Sequence, residues 1–373
     1  MRRVLALMLL SACMASILAA DVSIIERRQL HPRAALSNGK GKPGHSRRQN
    51  VPGKATGSQS LIDAQGLKYF INTNLTFSTS SSASAAMSEA SFTHAVNATT
   101  MGGGTTSSTL NNAFNGYNAI CLSLDNSFAQ CSTDNPNIAL YNENGPATTE
   151  CLGATSGVNR QVVFPVQTIG SINVQRKVFV PDNDQFGRWL NYFTNTGSSP
   201  QTVTMITSND LGSGSNTKIV SSSNGDNVAD VTDDWITSFQ NYSGTTSTEP
   251  RLGHILQGPG AATPLVGIHF VDGDRNPYWG YTFTLNPGQT KIIANFVTGQ
   301  PTKAAANAKS AEISGLPANA LQCLTNAERT EIVNFQAALP IAQVPTLSEA
   351  GLLGLGLLLG VFALILLRRR AVA

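Results

Sequence analysis

The chain has 373 residues, enough for one large or two ordinary domains with a sizeable core. Only 13% of them are charged, against a usual share of roughly 25%. Ser, Thr, Asn and Gly fill the gap, which suits an extracellular β-rich protein better than a cytosolic α/β enzyme. The net charge of +3 is unevenly spread: residues 1–54 carry ten Lys/Arg against Asp21 and Glu26 (+8), Arg368–Arg370 add +3, and residues 55–367 hold about −8. A mildly acidic body excludes the basic folded face that a nucleic-acid partner requires.

Residues 1–20 have the form of a secretory signal peptide. Arg2 and Arg3 precede an apolar run from Val4 to Leu18, and the small residues Ala19 and Ala20 then mark a cleavage point. Inside this run, Leu10-Ser11-Ala12-Cys13 resembles a bacterial lipobox, so a lipid anchor on Cys13 is an alternative to plain cleavage. Residues 21–60 are rich in Gly, Pro, Ser and basic residues without apolar periodicity, and are expected to be a flexible basic linker.

From 61 to 300 short apolar runs alternate with Asn/Gly/Pro turns, which predicts an all-β, sandwich-like body, with a break near residue 160 as an option for two sub-domains. The stretch 160–181 reads as two strands joined around Thr168–Ser171. Residues 188–209 read as a hairpin turning at 195–200. The clearest hairpin spans 277–297: Tyr281, Phe283 and Leu285 alternate, Asn286-Pro287-Gly288-Gln289 turns, and Ile292, Ala294 and Phe296 return. The run Phe193 to Met205 loosely resembles the strand–turn–strand of immunoglobulin-like surface modules. Residues 301–338 are helical in pattern, with Thr325 as an N-cap, and would form a small helical segment against the sandwich.

Beyond the signal peptide there are four cysteines: Cys121, Cys131, Cys151 and Cys323. In an oxidising compartment they imply two disulfides. Of the three connectivities, Cys121–Cys131 with Cys151–Cys323 is preferred, joining a short local loop and tying the helical end to the sheet. There is no Cys-x-x-Cys and no paired histidine for a transition metal. Acidic loops at 182–184, 226–234 and 272–276 offer oxygen ligands; the best calcium candidate is Asp272, Asp274 and Asn276, whose alternation places three oxygens on one side of a turn. No other cofactor is implied. His94, His254 and His269 lack triad-like spacing, there is no Gly-x-Ser-x-Gly elbow, and no carboxylate pair stands out for glycoside cleavage. Trp189, Trp235 and Trp279 could stack on sugars, but their apolar neighbours favour core positions.

The chain closes with three signals in order. Residues 339–350 form a spacer and the motif Val344-Pro345-Thr346-Leu347-Ser348-Glu349-Ala350-Gly351. Residues 351–367 carry no charge and are long enough for a single transmembrane helix. Arg368, Arg369 and Arg370 then act as stop-transfer charges in the basic cytoplasmic tail 368–373. This tripartite end resembles the IPTL-type C-terminal sorting signal of Gram-negative bacteria. Pro345, Thr346, Leu347, Ser348, Glu349 and Gly351 match it; Val344 replaces isoleucine, and Ala350 stands where tryptophan is usual. The resemblance implies an intermediate held in the inner membrane, a C-terminal sorting protease, and release to the cell surface, outer membrane or exterior. The expectation is an exported structural or binding protein of the surface or matrix. A carbohydrate-binding or glycan-cleaving protein with a surface glycan as partner is one alternative, and a lipoprotein through Cys13 is the other.

Overall fold

The computed structural model describes residues 58–73, 83, 85–92, 96–99, 105–108, 116–142, 147–244, 247–336, 357–361 and 368. Two antiparallel sheets make up the body. The first runs β1 (Ser58–Ile62), β2 (Leu67–Asn72), β3 (Met87–Phe92), β6 (Gly116–Ser123), β13 (Gln201–Asp210), β18 (Tyr278–Leu285) and β17 (Leu265–His269), with β7 (Ile138–Leu140) beside β6. The second runs β14 (Thr217–Ser222), β15 (Trp235–Gln240), β16 (Thr248–Ile255), β19 (Thr290–Gly299), β12 (Gly187–Asn195), β11 (Ile172–Phe179), β9 (Asn159–Val163) and β8 (Thr148–Leu152), with β10 (Gln167–Ile169) beside β11. A separate ribbon pairs β4 (Val96–Thr99) with β5 (Thr105–Ser108).

The sheets bury their inward-facing residues against each other. One hydrophobic cluster draws on residues from Leu61 to Val297, among them Trp189, Phe193, Met205, Trp279 and Tyr281. Polar side chains cross between the sheets within it. Arg176 of β11 donates to Asn191 Oδ1 (2.8 Å) on β12 and to Asn118 Oδ1 (2.6 Å) on β6. Asn118 Nδ2 donates to Asn295 Oδ1 at 3.4 Å, and Asn295 Nδ2 to Tyr281 OH at 3.0 Å. All five residues are fully buried. Burial pushes the Arg176 guanidinium down to about 9. A network of this kind fixes how the sheets are aligned, because any slip leaves several buried polar groups unpaired.

Both expected hairpins turn out to be corners between sheets. β12 lies in the second sheet and β13 in the first; β18 lies in the first and β19 in the second. The same turn chemistry serves either outcome, and inter-strand hydrogen bonding decides. Asn195, fully buried, locks the two corners together. Its Nδ2 donates to Ser199 O (2.8 Å) and Leu285 O (3.0 Å), its N–H to Gln289 O (3.0 Å), and its carbonyl accepts from Gly288 N–H (2.8 Å). The run 160–181 likewise holds three strands, β9, β10 and β11, rather than two.

The helical segment is where the pattern placed it. Helix α1 (Lys303–Ser314) is N-capped by Thr302, whose Oγ1 accepts from Ala305 N–H. Helix α2 (Asn326–Glu331) starts with a capping box: Thr325 Oγ1 accepts from Glu328 N–H, and Glu328 accepts from Thr325 N–H. Both pack on the outer face of the second sheet. Among the described residues no helix is long and apolar enough to cross a membrane. Residues 357–361 are helical; the rest of the expected span 351–367 lies outside the described residues, as do the signal peptide, Cys13 and nearly all of the linker.

Candidate functional site: the C-terminal closure

The described body ends in a segment built tightly into the second sheet. β12 and β19 are buried on both faces because the inner face meets the first sheet and the outer face meets residues 303–336. Phe179, Phe186, Leu190, Ile292 and Phe296 point outward, and Ile313, Leu316, Leu321 and Phe335 cover them. Gly253 of β16 allows α1 to sit close: a Cβ there would collide with Ser310 Oγ and lie 2.9 Å from Thr298 Cγ2.

Polar groups tie this cover down. Arg188, fully buried, donates from Nη1 to the carbonyls of Ala320 (2.6 Å) and Gln322 (2.8 Å), and from Nη2 to Gln161 Oε1 (2.9 Å). Burial lowers its guanidinium to about 10. Glu328 is the hub for α2. Its Oε1 accepts from Tyr192 OH at 2.5 Å and from Lys177 Nζ at 2.9 Å. Burial alone would raise this carboxyl, but those donors and Thr325 N–H outweigh it and hold it at about 2. Lys177 also reaches Glu150 at 3.2 Å on the edge strand β8. Lys309 of α1 bonds Asp184 Oδ1 at 2.7 Å, and Asn319 donates to the other oxygen of that carboxylate at 3.2 Å.

Both disulfides form as preferred, Cys121–Cys131 and Cys151–Cys323. The second joins β8 to the residues just before α2 across 172 positions.

After α2 the chain becomes a strap at residues 332–336. Ile332 forms a parallel bridge with Ile292. Val333 N–H donates to Ile292 O, and Val333 O accepts from Thr263 N–H. Asn334, fully buried, takes the place of a missing strand neighbour. Its Oδ1 accepts from Ala294 N–H (2.8 Å), and its Nδ2 donates to Ala294 O (2.6 Å) and Leu256 O (2.8 Å). Its carbonyl accepts from Gly258 N–H (2.9 Å). Phe335 is buried edge-on against Phe296, with centroids 5.4 Å apart. Asn334 was not legible as a site residue: nothing in "VNFQ" distinguishes a buried amide from a loop asparagine.

Of the other expected site residues, Asp274 and Asn276 stay in contact, Asn276 N–H donating to Asp274 Oδ1 at 2.8 Å. In the 272–276 loop, Asp272 accepts from Lys218 Nζ and Ile219 N–H, Asp274 pairs with His269 Nε2 at 2.9 Å, and Asn276 Nδ2 donates to Asn209 O. Among the described residues no group of three or more His, Cys, Asp or Glu is placed to hold a metal ion. Trp189 and Trp279 are fully buried, and Trp235 packs against the outer cluster. His94 lies outside the described residues. His254 has a neighbour that its sequence position did not suggest: Nε2 lies 2.9 Å from Ser238 Oγ, and Nδ1 lies 3.2 Å from Tyr117 OH. This resembles a nucleophile and base, yet both side chains are buried among Tyr117, Phe270 and Trp279, and burial holds the imidazole neutral, down at about 3. It ties β15, β16 and β6 together within the core.

Beyond the strap the chain carries a recognisable motif. Residues 342–370 match the IPTL-CTERM motif. The match begins six positions beyond the last described strap residue and covers Val344–Gly351 and Arg368–Arg370. It marks the segment as a C-terminal sorting signal of an exported surface protein. Of the motif and arginine residues only Arg368 is described. No curated protein matches the chain. Solved structures similar to it include a polysaccharide lyase (11% identity, 70% of this chain, 35% of that one, TM-score 0.35), a galactose mutarotase-like protein from Lactobacillus casei (10%, 65% and 100%, 0.34) and heparinase III (10%, 66% and 36%, 0.33). The chain spans about a third of the lyase and of the heparinase. At these TM-scores the likenesses assign no function.

Proposed function

We propose that this is an exported structural or binding protein of the cell surface or extracellular matrix, delivered by the N-terminal signal and sorted through its C-terminal tail. The observation that carries this reading is the motif match at residues 342–370, directly behind a disulfide-bonded β body whose final residues are locked into a sheet. The expected route passes through an inner-membrane intermediate, with the 351–367 span and Arg368–Arg370 holding the tail until a C-terminal sorting protease acts. Intact-mass measurement of the surface form tests it. A C-terminus near residue 345 is expected, and retention of Arg368–Arg370 would reduce the tail to an ordinary anchor. The same spectrum reads the N-terminus: a start at residue 21 fits cleavage at Ala20, and a lipid-modified Cys13 supports the lipoprotein alternative.

One feature of the first sheet supports the carbohydrate alternative. The His269 ring stacks on Tyr278 with centroids 5.0 Å apart, and both belong to adjacent strands near the sheet edge. Asp274 orients the imidazole, and the pair is part-exposed, so a sugar face could stack on it with a carboxylate at hand. A glycan array with the wild-type body and Tyr278→Ala decides: binding lost in the variant supports the reading, and no binding by the wild type ends it.

A further inference from the structure

Resting on the sorting reading, we propose that residues 332–336 are a folded-state catch for the tail: they close last onto a completed second sheet and hold the chain up to Gln336 out of reach of processing, so that the retained body ends no earlier than Gln336. The strap has no partner of its own to form on. It inserts between β19 on one side and residues 256–263 on the other, and shares hydrogen bonds with both: Ile292 and Ala294 from β19, Leu256, Gly258 and Thr263 from the opposite segment. Those two segments are far apart in sequence and are juxtaposed only when β16 and β19 have paired. Before that, Asn334 has nothing to bond and Phe335 nothing to cover. Gly258 fits the same account, because a Cβ there would lie 2.8 Å from Phe335 Cδ1 and 2.8 Å from Ser314 O. Gln336 Nε2 donates to Gly260 O at 2.9 Å, making it the last anchored side chain described before the motif. Proteases need an extended, freed backbone, so a segment hydrogen-bonded along both edges is cut only when it opens.

The test uses the purified full chain in detergent micelles. Amide exchange at Val333, Gly258 and Thr263 is expected to match that of core amides in β13. In Asn334→Ala those three amides should exchange at least tenfold faster while Met205 and Ile206 stay within threefold of wild type. Digestion with a non-specific protease should leave Gln336 on the wild-type body and trim the variant to a point before Ile332. Should Asn334→Ala fail to fold, Phe335→Leu takes its place, with at least threefold faster exchange expected. Unchanged exchange, equal acceleration of the strap and β13, or trimming of the wild type past Ile332 would each overturn the catch. A surface form that ends upstream of Ile332 defeats the catch and leaves sorting intact. A surface form that keeps Arg368–Arg370 defeats sorting, whatever the strap does.

Discussion

Each sheet of this sandwich has a cover on its outer face, and each cover is pinned by one disulfide, but the two are built differently. The first sheet carries a thin one. Residues 124–137 fold back from β6 and are held by Cys121–Cys131; Asn126 accepts from Thr204, and Phe128 lies over Gly267 and Gly280, where a Cβ would come within 2.6 and 3.1 Å of its ring. The buried cluster beneath is small, with Ala83, Ala86 and Ala119 among its members. The second sheet carries a thick one of helices and a strap, packed around four phenylalanines and two buried or half-buried ionic hubs. The thick cover is the one that leads to the sorting motif.

Unequal covers predict unequal costs. Replacing both Cys151 and Cys323 by Ser should cost the most, about 5 kcal/mol in the chain-entropy account, against about 3 for Cys121 and Cys131, because the closed loops differ by 172 positions to 10. Urea midpoints of the two variants check this, and equal losses would break the contrast. Phe335→Ala should then cost about 3–5 kcal/mol, as for other buried phenylalanines, and the part-exposed Phe128→Ala roughly half as much. Gly253→Ala should destabilise by about 1–3 kcal/mol through forced separation of α1 from β16, while Gly267→Ala only displaces a ring on a surface loop and should cost less than about 1. Thermal melts would rank the pair.

The two regions should also differ in pH response. Glu328 in the thick cover is held low, at about 2, so its contribution is fully present above the ordinary carboxylate range and is lost as pH falls from there towards 2. Glu328→Gln should flatten that acid limb. Asp63, in the turn between β1 and β2 of the first sheet, is pushed up to about 7 by burial, although Gln65 and Leu67 N–H groups oppose the shift. A raised carboxyl has the opposite sign: stability falls as pH rises from about 4 through 7, and Asp63→Asn should remove that slope. The smallest effect belongs to the exposed Lys218–Asp272 pair, where Lys218→Ala should change stability by less than about 0.5 kcal/mol.

Much of this was legible in the residues. The terminal motif, the β-rich body and Thr325 as an N-cap come from local chemistry, the number of disulfides comes from counting, and the pairing that forms is the one preferred among three. The misread features share one cause. The runs 188–209 and 277–297 have the alternation and turn residues of hairpins, but those features describe two strands and a reversal without saying whether the strands bond each other. Asn195 shows what settled it, since its partners lie on both corners. His254 gained Ser238 by the same long-range placement.

By itself, then, the sequence determined where this chain is addressed, because a sorting signal is read as a linear segment and its residues need no partners to be recognised. Tertiary structure alone decided how the body is fastened to that address. Asn334, Phe335 and Glu328 acquire their roles only from β12, β19 and residues 256–263 brought against them, and a side chain's hydrogen bonds and burial belong to its surroundings rather than to its place in the chain.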